Sequence, residues 1–352
     1  MDFSTNVQAF TQTKLAPKAV DTILSGNVLA TRLIGNAQPW RGRKMDKTVI
    51  VTKQANGGSF GSMDTFSTNK SDTKRRLSFD IRGYEIPVVI DGTERDVTAA
   101  DEQAALDLVI EAMEEAANAG MDDIGTILYG DGTGNSSKDF LGLAAIIDDG
   151  GEVATYGGLA RGTYPSLKAN EYDVTGAVTL AAMATAMSAA EKGSDKTTLI
   201  VTDDTRFNQY ETLLQATVAS NVTADGYKQV TRNSVVPSIS ALKGDLGFNA
   251  LFFRGVPIVA DDKCTSGKMW GINERHIAWY GLKSASKKYS PIQIGGNKQI
   301  DGVYSDVPSK NMGFNFSGLI DSINQYAEVG HIILLGNLIS FNPNRHWTIN
   351  FS

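Results

Sequence analysis

The chain has a single cysteine, Cys264, so no intrachain disulfide framework can hold it together. It has only three histidines, His276, His331 and His346, and none stands at the two-histidine helical spacing of a zinc hydrolase. A metal site would have to be gathered from distant loops, and each histidine reads better as an ordinary polar residue. No apolar run is long enough to span a membrane, and no charged-then-apolar segment opens the chain. A reducing cytoplasm is the expected place of synthesis. The four tryptophans supply no stacking platform for single-stranded nucleic acid. With a net charge of -6 and a pI near 5.2, a general basic surface for nucleic acid is also missing.

Catalytic constellations are equally scarce. Cys264 sits in DDKCTSG beside two carboxylates, which work against a thiolate. The acid pairs Asp148-Asp149, Asp203-Asp204 and Asp261-Asp262 fit turn chemistry better than a glycosidase pair or a cation site, because adjacent strand residues point to opposite faces. The glycine-rich YGDGTGNSS lacks the Gly-Lys-Ser/Thr of a phosphate cradle. Neither a Ser-His-Asp set nor a nucleophile elbow is expected. No catalytic, cofactor-binding or metal residue is therefore assigned, and an enzyme is not expected.

What the chain does have is bulk and pattern. Its 352 residues and 41% hydrophobic content suit a well-packed protein of two or three domains. Between Val97 and Gly130, Leu106, Val109, Ile110, Met113, Ala116, Ala117, Met121, Ile124, Ile127 and Leu128 recur at three- and four-residue steps. This predicts one helix of roughly 45 Å, opened by a capping-box-like Thr98 with Asp101 and Glu102 and stopped at Gly130. The other face is acidic. Between Arg95 and Lys138 lie ten carboxylates and no basic residue, whereas residues 1–90 carry a net charge of +6. The two regions should attract each other, within a chain or between chains.

Taken in order, residues 1–46 read as an extended arm with a short helix near Pro17 to Leu24, broken at Gly35, Pro39 and Gly42. Such an arm needs a surface, such as a neighbouring chain, to pin it. TVIVTK and KRRLSFDI read as the strands of a long hairpin with a Gly/Ser-rich tip, which should rest on another surface or be mobile. Residues 175–191 read as a small-residue helix, TTLIVTDD as a buried strand and TRFNQYETLLQAT as the helix after it. LFFRG, VPIVAD and KMWGI add three strands, and the runs Ile332 to Leu335 and Leu338 to Phe341 add two more.

That order of elements, with GDGTG...LGL, FRGVPIVADDKC and GNLISFNPNRHWTI, resembles the major capsid protein of tailed bacteriophages, the Hong Kong 97-type fold shared with encapsulin shells. The resemblance implies an α+β fold. Its parts would be an arm at 1–46, an extended loop at 47–90, a peripheral domain with a spine helix at 91–144 and 311–352, and an axial domain at 145–310. It implies a structural protein whose hexamers and pentamers close an icosahedral head around double-stranded DNA, which it encloses without sequence-specific binding. Assembly would take place in the bacterial cytoplasm, with no membrane and no cofactor. An encapsulin-like compartment around a cargo enzyme is the alternative.

On this resemblance the arm is expected to open the chain, without the long preceding segment of self-scaffolding relatives. A retained Met1-Asp2 terminus, a separate scaffolding protein and a portal are therefore expected. Lys53 or Lys70 joined covalently to Asn337 or Asn342 of a neighbour is not expected. Contact between subunits is expected where Lys74, Arg75 and Arg76 of the hairpin meet Glu111, Glu114 and Glu115 of an adjoining helix.

Overall fold

The computed structural model describes residues 15, 16, 18–20, 27–66, 68–98, 102–220, 250–282, 290, 291, 298–300, 303–305, 313–322 and 324–352. The chain joins its own core early. Leu15, Ala16, Ala19 and Val20 are buried, and Val28–Leu33 is a helix whose Val28, Leu29, Ala30 and Leu33 are buried too. This corrects the reading of an extended arm over 27–40. The helix ends before Gly35, and Pro39 lies in the short strand Gln38–Pro39, but six residues suffice when an apolar face packs on a larger helix. Asn27 fixes the approach by donating from Nδ2 to the Met121 carbonyl at 2.8 Å. Gly125 makes room, since a Cβ there would lie 2.6 Å from Asn27 Oδ1. Residues 1–14, and with them any pinning of the arm's start by a neighbour, lie outside the described residues.

The hairpin pairs Lys44–Ile50 with Lys74–Asp80, Lys44 opposite Asp80 and Ile50 opposite Lys74. Period-two alternation buries Leu77 and Phe79 on one face. That face lies on the chain's own body. Phe79 meets Tyr156 edge-on with centroids 5.1 Å apart, and the Ser78 N–H donates to the Gly157 carbonyl at 3.0 Å. Gly157 has φ +55°, and a Cβ on it would lie 2.7 Å from Leu77 Cδ2, so glycine is required twice over. Residues 82–90, expected in the extended loop, belong instead to Arg82–Asp91, a strand paired along its whole length with Ala327–Ser340.

Ala327–Ser340 is one 14-residue strand where two were expected. It is the axis of a seven-stranded sheet and also pairs with Phe314–Phe316, Ile320–Asp321 and Ile277–Gly281. The inward side chains Ile86, Val88 and Ile90 of Arg82–Asp91 pack beneath the long helix Glu102–Tyr129, whose buried stripe is Val109, Met113, Ala116, Ala117, Ile124 and Leu128. At 28 residues the helix is roughly 42 Å long. Its start differs from expectation: Thr98 is part of a separate helix, Gly92–Thr98, so it is not the residue that caps the long one.

A second, six-stranded sheet runs in the order Asn170–Val174, Trp347–Phe351, Lys268–Ile272, Leu199–Thr202, Val256–Ala260, Ala250–Phe253. Leu180–Ala190 packs against it through Met183, Ala186, Met187 and Ala190, and its Thr179 cap accepts from the Ala182 N–H at 3.2 Å. Gly271 leaves the space that the Trp347 indole fills, since a Cβ would come within 1.9 Å of that ring. The sheets cross the boundaries read from the sequence. Trp347–Phe351, placed with 311–352 in the peripheral part, lies in the second sheet, while Ile277–Gly281, within 145–310, lies in the first.

Candidate assembly interface

The hairpin's charges are only partly settled within the chain. Arg75 pairs with Asp72 at 2.5 Å, and its Nε donates to the Tyr164 hydroxyl at 2.9 Å. Arg76 pairs with Asp46 at 3.0 Å, yet 68% of its side chain stays exposed. Lys53, Lys70 and Lys74 are exposed and take part in none of the ion pairs among the described residues. The tip is tied at its base and more apolar than a Gly/Ser-rich loop suggests. Asn56 Nδ2 donates to the Asn69 carbonyl at 2.6 Å and to Ser71 Oγ at 3.1 Å, which closes the base of the tip. Above that clasp Phe60 and Phe66 stack edge-on, centroids 5.1 Å apart.

The long helix turns its acids outward, and the chain itself supplies some of the cations that cover them. Lys18 meets Glu114 at 2.8 Å, and Lys263 meets Asp122 at 2.8 Å, a carboxylate that raises the lysine's pKa. Tyr84 donates its hydroxyl to Asp123. Glu111 and Glu115 are exposed and in no ion pair among the described residues. Within the chain, then, Lys74, Arg75 and Arg76 are not brought to Glu111, Glu114 and Glu115.

Groups with chemical potential elsewhere are tied into the fold. In each acid pair the first residue is buried and the second exposed. Asp148 accepts from the N–H groups of Gly150, Glu152 and Val153 and from Arg161 Nη1 at 2.7 Å. Asp203 accepts from the Arg206 and Gly267 N–H groups, and Asp261 from the Lys263 N–H and the Tyr129 hydroxyl. Burial pushes the Asp261 carboxyl up. Asp148, Asp149 and Glu171 could converge on a cation, but Asp148 already accepts from backbone N–H groups and Arg161, Glu171 from the Asp149 N–H and Asn350, and Asp149 Oδ1 from the Gly151 N–H. Burial raises the Cys264 thiol well above its ordinary range, and Asp261 and Asp203 add to that rise.

Two arrangements escaped the spacing argument. Gly57, Ser59 and Gly61 do fit the GxSxG string, but in the exposed hairpin tip rather than on the strand-to-helix turn an elbow needs. Ser340 Oγ lies 3.0 Å from His346 Nε2, both residues being wholly buried. The Asn273 N–H donates to His346 Nδ1 at 3.1 Å, so the ring proton sits on Nε2 and is donated to Ser340. An imidazole so arranged cannot take the serine's proton.

No family model matches the chain, and no curated protein is significantly similar to it. Solved structures are. A chain of the cyanophage A-1(L) capsid asymmetric unit superposes with a TM-score of 0.63 at 16% identity, covering 92% of this chain and 91% of that one. The chain has the Hong Kong 97-type capsid fold. The capsid of Myoviridae phage XM1 matches this capsid fold at TM-score 0.52 and 13% identity, over 92% of this chain and 91% of that one. The capsid of a native GTA particle matches at 0.51 and 9%, over 94% and 90%. At such identities fold is what is shared, and the resemblance read from the order of elements holds at that level. No helix among the described residues of this capsid fold is long and apolar enough to cross a membrane.

Proposed function

We propose that this chain is the major capsid protein of a tailed double-stranded DNA phage, a structural protein whose hexamers and pentamers close an icosahedral head around the genome. The observation that carries the reading is the superposition on a phage capsid chain over nine-tenths of both chains. A separate scaffolding protein and a portal complete the assembly, which takes place in the host cytoplasm. The extended loop is the hairpin 44–80. The peripheral part is the seven-stranded sheet with its spine helix, and the axial part is the six-stranded sheet with Leu180–Ala190. Electron microscopy of purified protein tests the reading. Closed shells are expected, filled with DNA when taken from a phage lysate. Protein that stays monomeric with scaffold present, or shells holding an enzyme as cargo, would overturn it.

Contact between subunits is proposed where Lys74, Arg75 and Arg76 reach Glu111, Glu114 and Glu115 of the next subunit. Arg75 is already engaged by Asp72 and Tyr164, so Lys74 and Arg76 carry more of this contact. Exposed pairs contribute only about 0–1 kcal/mol each, but every subunit repeats them. Reversing Arg75 and Arg76 to Glu should weaken assembly without unfolding the subunit, and Glu111→Lys or Glu114→Lys should restore part of it. Assembly of the reversed variant that is normal at both low and high salt would end the proposal.

A further inference from the structure

One asparagine clasps the base of the hairpin tip, and it is the one asparagine in the chain that glycine follows directly. An Asn-Gly pair carries chemistry of its own. The glycine nitrogen can close a ring onto the asparagine side-chain carbon, because no Cβ hinders its approach. Here the approach is open. Asn56 and Gly57 are exposed and belong to no helix or strand, and a Cβ built on Gly57 would meet nothing within 4 Å. The Gly57 N–H makes no hydrogen bond among the described residues. Asp-Gly pairs could close the same ring, but the Gly92 N–H donates to the Tyr326 carbonyl at 2.9 Å and the Gly150 N–H to Asp148 Oδ1 at 2.5 Å.

We propose that Asn56 is a site of spontaneous self-modification, at which the Gly57 nitrogen displaces the side-chain amide and the clasp of the hairpin tip is lost. The Gly57 nitrogen gives up its proton and bonds to Asn56 Cγ. The Cγ–Nδ2 bond breaks, and Nδ2 leaves with that proton as ammonia. Water then opens the resulting succinimide at either carbonyl, which yields aspartate or isoaspartate, the latter with the main chain rerouted through the side chain. Nothing is oxidised or reduced, and water is the only co-reactant.

Either product exchanges two N–H donors for carboxylate oxygens. The Asn69 carbonyl, which accepts from Nδ2 at 2.6 Å, then faces an acceptor, so the clasp cannot re-form. The clasp in turn governs the rate. Its bonds to Asn69 and Ser71 hold the carboxamide across the base of the tip, and the side chain swings onto Gly57 only when they open. Loss of the clasp releases the segment that carries the Phe60 and Phe66 rings.

The test is a timed incubation of the unassembled chain in mildly alkaline buffer, followed by digestion and peptide mass spectrometry, so it does not depend on shells forming. The peptide holding Asn56 should gain the mass of an amide NH2 exchanged for OH and split into two products, one of them methylated by an isoaspartyl methyltransferase. Asn69, exposed but followed by lysine, is the internal control. Gly57→Ala should slow the conversion roughly tenfold. Ser71→Ala, which removes one anchor of the clasp, should quicken it about threefold. Asn56→Asp carries the product's carboxylate from the start, and trypsin should cut it at Lys53 and Lys70 about threefold faster than fresh parent protein. Conversion of Asn56 no faster than that of Asn69 would overturn the site. An unchanged rate in Ser71→Ala, together with unchanged cutting of Asn56→Asp, would overturn the part given to the clasp.

Discussion

His346 shows how a single residue ties this fold to pH. Full burial, with a smaller push from His276, pulls its pKa down to about 3. The unfolded chain takes up the imidazole's proton below about pH 6.5, and the folded chain refuses it until near 3. The stabilisation is therefore complete above 6.5 and lost as pH falls toward 3, on the order of 5 kcal/mol if fully expressed. Denaturant titrations at pH 7 and 5 should show this loss, and His346→Asn should flatten it while lowering stability at pH 7. Arg161 is the other buried group on which much depends. It is wholly buried, donates to Asp148 and to the Ala145 and Ile146 carbonyls, and lies over the Tyr156 ring. Arg161→Met should cost roughly 3–5 kcal/mol by stranding Asp148, and adding Asp148→Asn should recover part of it, as read by urea unfolding. Neither residue stood out in the sequence. A lone arginine in LARGTY and a histidine in NPNRHW look solvated until distant strands cover them.

Whether an element was legible in the sequence depended on how local its reasons are. The spine helix was visible because its stripe repeats every turn, and the hairpin because Leu77 and Phe79 alternate. The helix Val28–Leu33 was hidden because Gly35 and Pro39 follow so closely, and only packing on another element justifies it. The pairing of Trp347–Phe351 with Asn170–Val174 leaves no local trace at all. Of the proposed interface, the charges were legible, whereas the Phe60–Phe66 pair at the hairpin tip was not, because the two rings stand apart in a segment rich in Gly and Ser. The seat of the hairpin can be tested on its own. Gly157→Val should lift the stem off Tyr156, since the position already has φ +55° and no room for a side chain. Limited proteolysis should then cut between 50 and 74 faster than in the parent, with little change in far-UV signal. An unchanged cleavage rate would show that the stem is held elsewhere.

At the scale of the whole molecule, the uneven charge is answered partly within the chain, by Lys18 on Glu114 and Lys263 on Asp122, and partly left open on the hairpin and the spine. Covalent joining of subunits through Asn337 is not expected. That side chain is buried, accepts from the Leu141 and Leu338 N–H groups and donates to the Asp80 carbonyl. Boiled, denatured particles should run as monomers, and a ladder from the native sequence would overturn this.

The strand Trp347–Phe351 lies between Asn170–Val174 and Lys268–Ile272, and Ala327–Ser340 is the axis of the other sheet. Both are synthesised after nearly everything they join. Neither sheet can close until these late strands are in place, and contacts of such long sequence separation form slowly. A chain cut after residue 326 should therefore lack both finished sheets, and its unfolding in urea should show no cooperative transition.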